Sequence, residues 1–366
     1  MHVPAHARRM HAEDRQPGQS SGVPGVSRTA SIDRSPRDDP AGTVDAMEWI
    51  ADPTSAGGWI RDRLDDDWSM HHFVPHGFPA YARIFHPTEV RSLPDRPVPT
   101  TNEWSRMPDA EQQRLMELLV ATPASWADAA AAFGTTMHAF AQWQRLVRTS
   151  SDGDWHPSIA PDGREFSSPN MGAISPELLA AIAGRLIEHT TTPDAGFVAV
   201  WEGWGGLVGA YGSTGRRFVE FTDETPKPMR WRSLRESFEM PFRQAKWQPG
   251  ILSDDISKGP RFELPDRGHV LFSAAPAAFA DPGWILDAPW RDREAEGHGF
   301  SPSAQHPSIL WPADRAWLMA SEIDFDSTIV AGSDELIRAI CTDPAIEALP
   351  VPEGASLHWD ADEINR

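Results

Sequence analysis

A chain of 366 residues with a single cysteine, Cys341, is long enough to bury a core unaided, and alone it holds neither a disulfide nor a cysteine-built zinc site. Its formal charge of -20 repels phosphate backbones and anionic lipid, which argues against nucleic-acid and membrane partners. The longest apolar run, 195–212, contains Glu202 and six glycines, too polar and flexible for a membrane helix, and with no apolar leader the expectation is a soluble, cytoplasmic protein.

Residues 1–45 are rich in Pro, Ser, Gly and Arg and lack periodic aliphatic residues, so they predict a disordered tail. Patterned sequence begins at Met47, itself a possible translation start, and 46–366 predicts a single domain, helix-rich over 46–190 and strand-rich over 191–366. In VPHGFPAYARIFHP, 74–87, three prolines bar a helix, and a strand would place Tyr81, Arg83 and Phe85 opposite Ala82 and Ile84. Helices are expected over 108–121, from a Ser125 cap to Val147 with Gly134 breaking its middle, and from a Ser175 cap over 176–189. Strands follow at 196–201, 216–221 and 269–273, with a helix near 232–239 and a helical turn or two at 275–281.

The stretch 306–341 has the clearest pattern. It predicts a strand over 316–325, a tight turn, a short strand through Ile329 and Val330, and a helix capped by Ser333 with Leu336, Ile337 and Ile340 inward; a second short helix is expected over 344–349. Helices first and antiparallel-looking strands later predict an α+β fold, a mixed and largely antiparallel sheet with flanking helices.

Strand alternation would put Glu322, Asp324 and Asp326 on one face, where they could hold a divalent cation such as Mg²⁺ or Ca²⁺. The phrase IDFDSTIV, 323–330, is similar to the opening motif of haloacid-dehalogenase-type phosphatases. Only 40 residues follow Asp326, none of them lysine, so the other motifs of that fold have no room. The helix-turn-helix-like spacing of Ala130, Gly134 and Phe140 lacks basic residues to read DNA, and the glycines after Trp201 lack phosphate-loop spacing. His71, His72, His76 and His86 crowd together, yet Pro75 removes helical ligand geometry. Cys341 falls on an apolar helix stripe as a small buried hydrophobe. Sixteen tryptophans, several in loops (Trp155, Trp247, Trp290, Trp311), are expected either as lids on the core or as walls of a groove.

The phrases VPHGFPAYARIFHP, TTMHAFAQW, HTTTPDAGFVAVWEGWG, HVLFSAAPAAF and ILWPADRAWLMASEIDFDSTIVAGS, in that order over 58–350, resemble a protein family of high-GC Gram-positive bacteria with no assigned activity. The resemblance implies no cofactor or catalytic residue. With no complete catalytic constellation, the expected function is non-catalytic binding of an unidentified protein or small-molecule partner. The candidate surface is Trp201, Glu202, Trp204, Trp311 and Arg315 together with the acidic strand face. The competing expectation is a metal-dependent hydrolase or phosphoryl-transfer enzyme with Glu322, Asp324 and Asp326 as ligands.

Overall fold

The computed structural model describes residues 47–67, 69–149, 157–212 and 246–366. The expected tail, the strand 216–221, the helix 232–239 and Trp155 lie outside the described residues. In chain order the strands are β1 (Glu48–Trp49), β2 (Ala80–Phe85), β3 (Thr88–Ser92), β4 (Val120–Ala124), β5 (Ser158–Ile159), β6 (Glu165–Phe166), β7 (Gly196–Trp201) and β8 (Ala210–Tyr211). There follow β9 (Trp247–Gln248), β10 (Phe262–Leu264), β11 (Arg267–Ser273), β12 (Ile309–Pro312), β13 (Leu318–Ala320), β14 (Ser327–Gly332) and β15 (Ala348–Val351).

The main sheet runs β1-β11-β7-β12-β13-β14-β2-β15, with β10 folded back on β11, and its strands pair antiparallel. Thus β2, from the helix-rich half, lies between two strands of the other half, so the two halves share one sheet. Both faces of β2 are covered: from Tyr81 to Phe85 every residue is buried.

Period-2 alternation sorts the strands onto two cores. Ala82, Ile84, Val198, Val200, Val270, Phe272, Met319 and Val330 face the helices Pro176–Ile187 and Asp334–Thr342. Both of these helices start as expected, since the Ser175 and Ser333 hydroxyls accept from the third backbone N–H beyond them. Tyr81, Ala199, Leu271, Ile309, Leu318, Ala320 and Ile329 pack on the other side against Ile60, Met70, Val74 and Phe262. A smaller sheet, β4-β3-β6-β5, packs with the helix Trp126–Phe133 around Phe85, Trp143 and Phe166.

Four expectations change. The helix begun at Ser125 stops at Gly134, whose left-handed φ of 66° ends it in the way glycine commonly does, and only the short helix Trp143–Leu146 follows. The helix expected over 108–121 ends at Leu118, and Val120–Ala124 is strand. The helix expected over 344–349 is replaced by edge strand β15, because Pro350 and Pro352 cannot donate and an edge tolerates them. The strand expected over 316–325 covers only Leu318–Ala320; Ser321–Asp326 is a turn closed by Phe325 N–H donating to the Glu322 carbonyl at 3.2 Å.

Candidate functional site

That acidic turn forms one wall of a cavity of about 560 Å³, on the second face of the sheet at the β11–β12–β13 ends. His269 of β11, Ile309 of β12 and Ala320 of β13 supply the floor. Gln142 and Arg145, at the start of the Trp143–Leu146 helix, supply another wall, and Phe73, Leu357 and Trp359 close the side. Such a volume lies within the range of small-molecule sites.

The turn is held from two directions. Gly172, with φ of 61°, lies directly against the Ile323 backbone, and its N–H donates to the Phe325 carbonyl at 2.8 Å. A β-carbon at 172 would overlap the Ile323 carbonyl, so glycine permits the close approach. Arg267 then draws in two of the acids: its Nε lies 3.1 Å from Glu322 Oε1, and its Nη2 contacts Asp324 Oδ2. Burial pushes the Glu322 carboxyl above its usual range, and Arg267 opposes the push.

Asp326 lines the same cavity but has a separate partner. Its partner is Arg83 of β2, 3.3 Å away and wholly buried. Arg83 also donates to Ser327 Oγ at 2.9 Å and to the Ala141 and Ala139 carbonyls at 2.8 and 3.2 Å, while its guanidinium lies 4.7 Å from the Phe85 ring centre. Burial raises the Asp326 pKa and lowers that of Arg83, each partly offset by the other. The shared acidic face expected of Glu322, Asp324 and Asp326 is therefore absent, because the segment turns and arginines from β11 and β2 claim the carboxylates separately. Among the described residues these three do not converge as ligands of a divalent cation.

No family model, curated protein or solved structure matches the chain. The reading of the cavity rests on its own chemistry.

Two polar side chains in its wall stand out. His269 is 3% exposed, its Nδ1 has no hydrogen-bond partner, and burial pushes its pKa down to about 4, which keeps the ring neutral. Gln142 is 7% exposed and its Nε2 likewise has no partner, although its backbone N–H donates to Asp362. Arg145 makes no ion pair with any described residue. Met171 and Trp359 leave apolar surface exposed at the rim.

The tryptophan surface fares differently. Trp201 and Trp204 are half-buried and meet edge to face at 5.7 Å; the Arg267 guanidinium covers Trp201 at 5.4 Å, and Arg261 Nε lies 2.7 Å from Glu202 Oε2. They stand behind Arg267 and contribute nothing to the cavity wall. Trp311 is on β12, not in a loop: fully buried, it stacks on Phe197 at 5.4 Å. Arg315 covers Trp59 at 5.3 Å, and is likewise no part of that wall. Trp290 is buried as a lid on the core, its Nε1 donating to the Gln305 carbonyl at 2.8 Å. Cys341 is half-buried against the same core, its thiol pKa raised by burial.

The histidine cluster separates too. His71 Nδ1 donates to the Val74 carbonyl at 2.8 Å and its Nε2 accepts from Gly354 N–H at 3.0 Å, which fixes one neutral tautomer. Its ring stacks on His76, 3.4 Å away, and His76 spans Asp65 and Glu353 at 2.7 and 3.2 Å, which raises its pKa. His71, His76 and Glu353 come close enough to cage a cation, but both nitrogens of each ring are already engaged, leaving no lone pair for one. His86 is buried, bonded to the Asn170 carbonyl and Thr328 Oγ1.

Sequence reasoning passed over His269, Gln142, Arg145 and Arg267. One signal was visible: in HVLFS, His269 shares its strand face with Leu271, a polar residue in a core-facing position. The other three come from segments that only the fold brings together.

Proposed function

We propose that the protein is a non-catalytic binding protein whose small-molecule ligand occupies the cavity walled by the acidic turn. The observation that carries this reading is the pair of buried, unpartnered polar groups there, His269 Nδ1 and Gln142 Nε2. A buried polar group without a partner costs about 1–3 kcal/mol, and where it lines a cavity, a ligand that supplies the partner recovers that cost on binding. Binding is favoured over metal-dependent catalysis because Glu322, Asp324 and Asp326 each face an arginine. A carboxylate so engaged is a poor cation ligand, since the cation must displace the arginine first.

The test is a thermal-shift and calorimetric screen of a small-molecule fragment library on the full-length protein and on Met171→Trp, which narrows the mouth of the cavity. Compounds that stabilise the native protein and lose their effect in Met171→Trp support the reading. Stabilisation that survives in the variant, or the absence of any hit, refutes it. If a hit is consumed during titration and Glu322→Gln abolishes the turnover, the protein is an enzyme instead.

A further inference from the structure

Given that the cavity is the binding site, the hydrogen-bonding groups left unused in its wall narrow the ligand's chemistry. Of the four acids in the wall, Arg267 holds Glu322 and Asp324, Arg83 holds Asp326, and Asp266 is 81% exposed with His72 Nε2 3.6 Å away. Two donors in the wall have no acceptor among the described residues. Gln142 Nε2 carries two N–H bonds and has no acceptor, and Arg145, three residues along, presents a guanidinium that pairs with no described acid. Both belong to one short segment, in which Gln142 precedes the first turn of the Trp143–Leu146 helix, so their side chains border the same part of the wall. The neutral His269 ring spends its one N–H on backbone carbonyls of Phe262 and Arg267, so its unpartnered Nδ1 is an acceptor.

The rest of the lining is apolar. Leu264, Ile309, Ala320 and Leu357 form the inner surface, with Phe73 and Phe325 tilted against each other at 5.2 Å between ring centres. Trp359, 56% exposed, extends that surface to the rim. We infer that the site takes a small carboxylate with an apolar, aromatic or short aliphatic body, its carboxylate received by Arg145 and Gln142 and its body lying along Phe73, Ile309, Leu357 and Trp359. A guanidinium matches a carboxylate in charge and planar geometry, and such charge-assisted bonds are roughly twice as strong as neutral ones. An organic cation is the weaker candidate despite the acids, because it would have to compete with Arg267 for Glu322 and Asp324, and Asp266 is 81% exposed, where water screens its charge.

The probes are three matched sets, with phenylbutyl, octyl and naphthylmethyl bodies, each as carboxylate, alcohol and amine, titrated calorimetrically into the full-length protein. Within at least one set the carboxylate should bind at least tenfold more tightly than the alcohol. Arg145→Met should bring the carboxylate to the affinity of the alcohol while leaving the alcohol within about twofold, and Gln142→Leu should weaken the carboxylate by a smaller factor. Retention of the native circular dichroism and melting point in both variants ties the loss to the site. Equal affinity of alcohol and carboxylate, tighter binding of the amine, or an Arg145→Met variant that binds the carboxylate as well as the native protein overturns the inference while leaving the cavity as a binding site. Absence of binding by all nine probes overturns it too, and the fragment screen with Met171→Trp then separately decides whether the cavity binds anything.

Discussion

Replacing Arg83 by methionine keeps the length and the apolar stem of the side chain and removes the charge that holds three parts of the fold together. In the native protein its guanidinium makes four hydrogen bonds, to Ser327 Oγ, the Ala139 and Ala141 carbonyls, and Asp326 Oδ1. The variant leaves two carbonyls without their donor and a carboxylate that is 9% exposed without its counter-charge. Removing one partner of a buried ion pair costs about 3–5 kcal/mol, and the orphaned carbonyls place Arg83→Met toward the upper end. The loss should depend on pH. Burial already raises the Asp326 pKa against the pull of Arg83, and without Arg83 it rises further. An acid whose folded pKa exceeds its unfolded value contributes stability that is complete below the unfolded value, near 3.8, and lost as pH climbs to the folded one. The deficit of Arg83→Met should therefore shrink as pH falls from 7 toward 4, and Asp326→Asn in the same background should recover part of it at pH 7 by removing the isolated charge. Urea unfolding of native, single and double variants at several pH values measures all three effects. A cost below about 1 kcal/mol, or a deficit unchanged with pH, would show that Arg83 does not hold these three parts of the fold together.

His76 follows the same sign in a higher pH window, and here the variant loses a stabilisation present at low pH. Its folded pKa is raised above 6.5 by Asp65 and then Glu353, so its contribution is complete below 6.5 and fades as pH rises through the folded value. His76→Gln should remove that fall between pH 6 and 9, an effect of at most about 1 kcal/mol because the ring is 39% exposed; parallel urea midpoints for the two proteins across that range would refute it. Gly172→Ala should lower stability by about 2 kcal/mol or more, since it joins an unfavourable positive φ to an overlap with the Ile323 carbonyl, and should weaken binding in the cavity by moving the acidic turn; an unchanged melting temperature would show that the turn tolerates the displacement.

What could be read in advance was what is local. The Ser175 and Ser333 caps and the apolar stripes behind them need only a few neighbouring residues, and both helices form where expected. The turn at 321–326 shows why alternation misled: Glu322, Ile323, Asp324, Phe325 and Asp326 have the pattern of a half-buried strand, but their conformation is imposed from elsewhere. Arg267 lies 55 residues before Glu322, Arg83 lies 243 before Asp326, and Gly172, which packs on Ile323, comes from a third segment. Composition hides such pairings. A net charge of -20 makes each acid look available, yet burial of a carboxylate is tolerable mainly where an arginine meets it, so the acids nearest the core are the ones already taken. The same reasoning reverses the first impression of the site: in an acidic protein, the cavity wall holds Gln142 Nε2 without a partner and Arg145 without an acid among the described residues, and a donor without an acceptor selects for a ligand that brings one.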